Sequence, residues 1–379
     1  MERHYLMTPG PTPVPEAARL AMARQLIHHR GEEFKGIFGE VREGLRWFFE
    51  TEAEVLTLTC SGTGAFEAAM TNCTGKGDRV VCIGGGKFAE RWAKMGRAFG
   101  LDVVELPVEW GEAARPDELA KVLEEAGEVS MVTAVASETS TGTYHPVREL
   151  AQVVRERSEA LFVVDGITAV GVHRMPMDEW GLDVVVSGSQ KALGIPPGLG
   201  FVALSDRAWT RAEESDHPRF YFDLLRERDR QAQDQTAFTP AVSVVLALRE
   251  VLALMRAEGR EGLLNRHRRN AEATQAGVQA MGLRLFSQSP SRAVTAARVP
   301  EGLSGGDIRA RMGDDHGVVI AGGQGPEADS LIRLGHIGFF DAPDILLTLG
   351  ALEETLGALG AEVDPGSGVA AAQRVFRDL

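Results

Sequence analysis

The chain has 379 residues, 44% of them hydrophobic and 25% charged, a globular balance that excludes a disordered chain or a small disulfide scaffold. Lys and Arg total 40 against 54 Asp and Glu, a net charge of −14, which argues against nucleic acid or an anionic membrane as partner; no apolar run approaches the roughly 18 residues of a membrane span. Three cysteines, Cys60, Cys73 and Cys82, form no CxxC pair, and with an opening segment that lacks an apolar signal core they predict a reducing, cytoplasmic setting.

Residues 1–13 read as extended, because Pro9, Pro11 and Pro13 forbid regular helix there. Helices are predicted near 15–26 and 32–50, the second carrying Phe34, Ile37, Phe38, Val41, Leu45 and Phe48 at helical spacing. From Glu54 short β-rich runs alternate with helix-length segments. The runs are 54–60, 79–84, 102–106, 129–136, 160–165, 183–189 and 200–205. Helical stretches near 63–73, 88–99, 116–126 and 146–157 separate the first five. Such alternation predicts a mostly parallel seven-stranded sheet between helices. No long helix separates the last two runs, so one of them is expected to run antiparallel. Beyond about residue 206 the pattern turns helical, with an apolar segment (241–256) leading into a charged helix (263–275). The rest mixes strands (283–286, 293–299, 317–322, 330–336) with helices at 304–313 and 342–359. The predicted organisation is an N-terminal arm (1–15), a large α/β domain (16–258) and a smaller α+β domain (259–379).

Chemistry concentrates in SGSQKALGIPPGLG, residues 187–200. The chain has six lysines and 34 arginines, and Lys191 is the only lysine after Lys121. It follows a β run and precedes a Gly/Pro-rich turn. An amine condenses with a carbonyl and a guanidinium does not, so this lysine suits a Schiff-base role; the bland alternative is an exposed loop lysine. Asp165 ends an apolar strand, where an α/β sheet binds ligands; alone it would equally be a turn or cap residue. Together they suggest pyridoxal phosphate (PLP), which needs a lysine for its aldehyde and an acid for its ring nitrogen. CSGTGAFEAAM (60–70) offers a phosphate cradle, a strand end followed by a Gly-rich turn and a helix opening. GGGKFAER (84–91) lacks GxGxxG, which argues against a dinucleotide.

In order and spacing these motifs resemble the class V, fold-type I PLP-dependent aminotransferases of the serine–pyruvate, alanine–glyoxylate and serine–glyoxylate branch. The carriers are TPGPTPVP, SGTGAFEAA, ETSTG (138–142), VVDGITAVG, SGSQKAL with the following PPG, the TP at 239–240, and IRLGHIG (332–338). The resemblance covers nearly the whole chain. It implies that Lys191 holds PLP covalently and shuttles the proton, and that Asp165 pairs with the ring nitrogen. Ser61, Gly62, Thr63 and Gln190 would bind phosphate, and Thr239 would reach the phosphate of a neighbouring subunit in a homodimer with shared active sites. Thr139 would lie near the phenolic oxygen. Phe88 would stack on the ring and Ile167 pack its opposite face. Arg333 would clamp the substrate carboxylate, with Gly10 approaching closely. No metal is implied.

The resemblance implies ping-pong transamination between a small L-amino acid, serine or alanine, and a small 2-oxo acid, glyoxylate or pyruvate. Ureidoglycine–glyoxylate and aminoethylphosphonate aminotransferases are sibling readings. Cysteine desulfurization is a further one, disfavoured because all three cysteines precede residue 83 on or beside core elements. A non-catalytic nucleotide-binding module is the rival outside enzymes; the presence of both Lys191 and Asp165 argues against it. Two departures from the family pattern stand out. Thr63 occupies a place where some relatives carry His, and Phe238 stands where a tyrosine would precede the TP. His28, His29 and Arg30 form a polar cluster with two readings, a site entrance or a solvated loop. His336 is expected near the carboxylate clamp.

Overall fold

A computed structural model describes residues 4–378. Its central sheet contains β1 (Val55–Leu58), β2 (Arg79–Ile83), β3 (Asp102–Leu106), β4 (Met131–Val135), β5 (Leu161–Asp165), β6 (Val184–Gly188) and β7 (Gly200–Leu204). The order across it is β1-β7-β6-β5-β4-β2-β3. β7 is antiparallel to β1 and to β6, and the other pairings are parallel. The one reversed strand follows the one connection too short for a crossover helix.

Helices Gly62–Cys73, Ala89–Ala98, Pro116–Ala126 and Val147–Arg157 make the predicted crossovers. Side chains alternate across each strand, so both faces of the sheet are buried. Phe162 and Val164 of β5 join one core, which also takes Phe34, Phe38, Val41 and Leu45 of helix Glu32–Phe49. Leu161 and Val163 join the other, with Phe66 and Trp92 of the covering helices. The first predicted helix is shorter than expected, Glu16–Met22.

The apolar segment and the charged segment after it become helices Val242–Glu258 and Arg260–Ala280, which meet at Gly259 with φ +78°. A second, three-stranded sheet contains β8 (Val294–Arg298), β9 (Ala321–Gly322) and β10 (Leu331–Gly335) in the order β8-β10-β9, all antiparallel. Two expectations fail here. The run 283–286 forms only a bridge between Leu285 and Ala297, after which the chain leaves the sheet and Gln288 N–H bonds Gly111 carbonyl. The run 317–322 is split between two partners. Val318–Val319 pairs in parallel with Tyr5–Leu6 of the N-terminal arm, whereas β9 joins β10. A third core collects Met7 of the arm with Val318, Ile332, Leu334 and Leu349. Helix Ser367–Asp378 lies on helix Arg260–Ala280 and buries Ala371 and Ala372.

Candidate active site

The carboxyl ends of the parallel strands share one edge of the sheet, where such folds bind ligands. β6 runs to Gly188, and the loop 189–199 turns back into β7. Ser189 stitches that loop, its hydroxyl donating to the Pro196 carbonyl (2.7 Å) and accepting from Leu199 N–H (3.2 Å). Gly194, at φ +60°, donates its N–H to the Lys191 carbonyl, which also accepts from the Thr12 hydroxyl (3.0 Å). The Lys191 backbone is therefore fixed from two sides. Its Nζ donates to the Pro9 carbonyl of the N-terminal arm at 2.9 Å. Next along the arm, Gly10 has φ +128°, and a Cβ there would lie 2.4 Å from that Nζ. Only glycine lets the arm come this close.

Burial is the main influence on the charges at this edge. It lowers the Lys191 pKa to about 8, assisted by the Arg333 charge and opposed by Asp165. It raises Asp165 to about 7, assisted by the charge of Glu138 and opposed by the N–H of Ile167, which Asp165 Oδ1 accepts at 2.9 Å. It lowers Arg333 to about 10. Arg333 comes from β10 and is only 5% exposed. Its Nε donates to the Gly322 carbonyl (2.6 Å) and its Nη1 to the Thr139 carbonyl (2.7 Å), which fixes the guanidinium plane. Thr139 thus meets Arg333 through its backbone. An amine, a carboxylate and a guanidinium from three segments of chain converge here.

The turn after β1 lies beside them. Ser61 is the N-cap of helix Gly62–Cys73 but makes no side-chain cap bond. The first N–H groups of a helix have no acceptor within it, so those of Gly62 and Thr63 are available to an anion. A Cβ on Gly62 would strike Ile167 Cδ1 at 2.3 Å, and one on Gly188 would stand 3.3 Å from Gln190 Oε1 and 3.7 Å from the Gly62 backbone. Turn, Ile167 and Gln190 are therefore neighbours. Gln190 Oε1 is buried without a partner; a half-turn of the amide presents N–H there instead. The Thr63 hydroxyl accepts from Arg91 Nη1 at 2.7 Å, and the Arg91 guanidinium sits 5.0 Å from the Phe88 ring centre.

Thr239 is the exception. It is exposed and lines a small cleft with Thr57, Leu58, Thr59, Tyr221 and Phe238. Arg30 donates to Gln235 Oε1 (3.1 Å) and the Thr236 carbonyl (2.7 Å), tying the His28–Arg30 loop to the segment before Thr239. His336 is fully buried and both ring nitrogens are engaged, Nε2 with the Thr295 hydroxyl (2.9 Å) and Nδ1 with the Arg292 carbonyl (3.0 Å). It braces the strands behind Arg333. Two residues of this site have no distinct sequence signature, Glu138 and Arg91. Glu138 lies inside the ETSTG motif, which was its only signal; Arg91 is one of 34 arginines.

This donor set fits PLP. Free helix N–H groups and a buried, unpartnered amide suit a dianionic phosphate. A buried carboxylate with one hydrogen bond suits a pyridinium N–H. A buried amine with a lowered pKa suits an aldehyde.

Fold and site define a PLP-dependent enzyme of fold-type I. The chain belongs to the class-V aminotransferase family, whose model matches residues 4–327, and it is a PLP-dependent aminotransferase. It is similar to the soluble hydrogenase 42 kDa subunit of Anabaena cylindrica, with 44% identity over 99% of each chain. It is 32% identical to the serine–glyoxylate aminotransferase of Methylorubrum extorquens over 99% of this chain and 96% of that one. The structure of an aspartate aminotransferase of subgroup IV from Thermus thermophilus matches with a TM-score of 0.87 and 37% identity, over 93% of this chain and 99% of that one. Among the described residues no helix is long and apolar enough to cross a membrane.

Proposed function

We propose that the protein transfers the amino group of a small L-amino acid, serine or alanine, to glyoxylate or pyruvate, as a cytoplasmic homodimer with shared active sites. The convergence of Lys191, Asp165 and Arg333 carries this reading. When bound, PLP supplies an aldehyde that captures amines and a ring that accepts electrons. Lys191 would hold it through Nζ and, as a free amine, would take the proton from the substrate Cα. Near-neutral basicity suits that task. Asp165 keeps the ring nitrogen protonated. Arg333 orients the substrate carboxylate through the N–H groups that Gly322 and Thr139 leave free. Phe88 and Ile167 pack the two ring faces, and Ser61, Gly62, Thr63 and Gln190 take the phosphate. The arm at Gly10 closes over Lys191 and keeps out water.

Thr239 serves the partner's phosphate in this reading. Its exposure beside an apolar cluster supports that position. Phe220 is 75% exposed, and Tyr221 stacks on Phe238 with ring centres 5.0 Å apart. Sulfur transfer from cysteine finds no support, since burial pushes the Cys60 and Cys73 thiols up to about 12 and Cys82 to about 11, and a thiol nucleophile needs the opposite.

Similarity to the Thermus aspartate aminotransferase favours aspartate as a second candidate donor. The visible spectrum of purified protein decides between them. The cofactor band should bleach with L-serine or L-alanine in the absence of any oxo acid and return with glyoxylate. Bleaching by aspartate alone would replace the donor assignment. No band after PLP is supplied would overturn the reading.

A further inference from the structure

Glu138 is fully buried in the short hairpin formed by Ser137–Glu138 and Thr143–Tyr144. Four donors meet its carboxylate, two at each oxygen. Oε2 accepts from Phe88 N–H (2.9 Å) and Ala89 N–H (3.1 Å). Oε1 accepts from Ser140 N–H (2.9 Å) and the Ser140 hydroxyl (2.6 Å). The Ser140 oxygen in turn accepts Lys87 N–H at 3.0 Å. The entry into helix Ala89–Ala98 is thereby tied to Glu138 and, through it, to Ser140. Gly86 makes room for it, because a Cβ there would lie 2.3 Å from Glu138 Cγ.

Two walls of the site hang from this tie. Phe88, whose N–H is held on one side, carries the ring that faces Arg91 on the other. Thr139, pinned between Glu138 and the bonded Ser140, gives its carbonyl to Arg333. Burial pushes the Glu138 pKa up and its hydrogen bonds from Ser140, Ala89 and Phe88 pull it back; a buried carboxylate accepting four hydrogen bonds is rigid, since each donor costs free energy if left unpaired. Its charge also favours the protonated form of Asp165 and of Arg333.

We propose that Glu138 is a positioning residue that holds the Phe88 wall and the Arg333 clamp in register, so that cofactor ring and substrate carboxylate bind as one unit. This rests on the roles proposed above for Phe88 and Arg333. The competing role is a buried helix cap with no influence on ligands.

Glu138→Gln keeps the size but turns one acceptor oxygen into a donor, so either the Phe88 and Ala89 N–H groups or the Ser140 N–H and hydroxyl face a donor in place of their acceptor. The variant should bind PLP about 10-fold more weakly in titration of the cofactor-free protein, judged against typical costs of a lost charged bond. Its visible circular dichroism should fall in amplitude, because the ring is less firmly oriented. KM for the amino donor should rise more than kcat falls. Ser140→Ala, a milder change that spares the carboxylate, should move the same readouts less and in the same direction. Glu138→Asp should not rescue, since it is one methylene too short for both donor pairs. If Glu138→Gln and Ser140→Ala lower only the melting temperature while PLP affinity, dichroism and KM stay as in the wild type, Glu138 is a cap and the proposal is overturned. Phe88→Ala and Arg333→Gln separate the two levels. Should they too leave PLP affinity and KM unchanged, the roles assigned to Phe88 and Arg333 fail; should they show their losses while the Glu138 and Ser140 variants do not, only this inference does.

Discussion

Two aspartates on neighbouring strands are equally hidden and differently treated. Asp165 ends β5 at the carboxyl edge of the sheet, and Asp183 precedes β6 at the amino edge; each is 3% exposed. Asp183 is saturated. It accepts from Phe162 N–H (2.9 Å) and the Ser205 hydroxyl (2.9 Å), and Arg207 reaches it at 3.3 Å. Asp165 has the N–H of Ile167 and the diffuse fields of Lys191 and Arg91. Burial raises the pKa of both. The folded chain satisfies one acid from within and leaves the other with a single hydrogen bond, as its proposed pairing with the cofactor ring requires. Lys191, held only to the Pro9 carbonyl, and Gln190, with its buried oxygen unpartnered, follow the pattern of Asp165. Under-bonded Asp165, Lys191 and Gln190 gather at the carboxyl edge, where the proposed cofactor contacts lie, while Asp183 at the amino edge is saturated by the fold itself.

The comparison breaks most completely at Lys191. Lys191→Ala should lower turnover by about 10⁴-fold or more, and gel filtration should then strip the cofactor, because no covalent tether remains. Near-normal turnover would remove the basis of the assignment. Asp165→Asn should lower kcat by about 10²- to 10⁴-fold. Its effect on the cofactor-free fold has the opposite sign. The folded pKa of Asp165 lies near 7 against an ordinary 3.8, so between those values the folded chain holds the proton more tightly than the unfolded chain. Wild-type stability then falls as pH rises from about 4 to 7, and the Asn variant escapes that loss. Urea melts without PLP should find the variant more stable at pH 8 by up to about 4 kcal/mol, with the gap closing toward pH 4. A variant less stable than wild type at every pH would mean that Asp165 is bonded for structure after all.

Gly10 sharpens the contrast from the other chain segment at the site. Gly10→Ala places a methyl 2.4 Å from Lys191 Nζ in a backbone with φ +128°. Displacing the amine by about an ångström should cost about 10²-fold in kcat. Gly100→Ala also meets a positive φ, +76°, but has no atom within 4 Å of the new Cβ. It should cost about 1 kcal/mol of stability and leave kcat alone. Equal activity losses in the two would show backbone strain, not contact with Lys191, to be the cause.

The carboxyl-edge groups were legible in the sequence for a physical reason. Strands buried on both faces read as continuous apolar runs, and their ends announce themselves by Asp165 or by the Gly-rich turns around Ser61 and Lys191. The only lysine after Lys121 in an arginine-rich chain is conspicuous. Glu138 was not, because its meaning lies in the N–H groups of Phe88 and Ala89, about fifty residues away in sequence. Arg91 has no local signature that sets it apart from other helix-surface arginines. The split of 317–322 between two partners depends on Tyr5–Leu6, which no pattern within the run reveals. Local chemistry is readable from sequence; the partner of a buried polar group is set by topology.

Asp183→Asn should have the smallest effect on chemistry. The loss falls on the amino edge, where Asp183 joins β5 through Phe162 to β6 and, through Ser205, to the end of β7. Ser205 also caps the following helix by accepting from Ala208 N–H. An amide in place of the carboxylate keeps one oxygen for Phe162 but meets Ser205 and Arg207 with a donor or a neutral acceptor. The expected cost is about 1–3 kcal/mol of stability, read as a lower denaturation midpoint with an unchanged slope. Per folded molecule, kcat should stay within about twofold and PLP affinity should not move, since the hydrogen bonds of Asp183 run to Phe162, Ser205 and Arg207 and not to the loop 189–199 or the turn at Ser61. A large fall in kcat at full folding would mean that strain at the amino edge reaches the active site through β6, and the division between the two edges would be false.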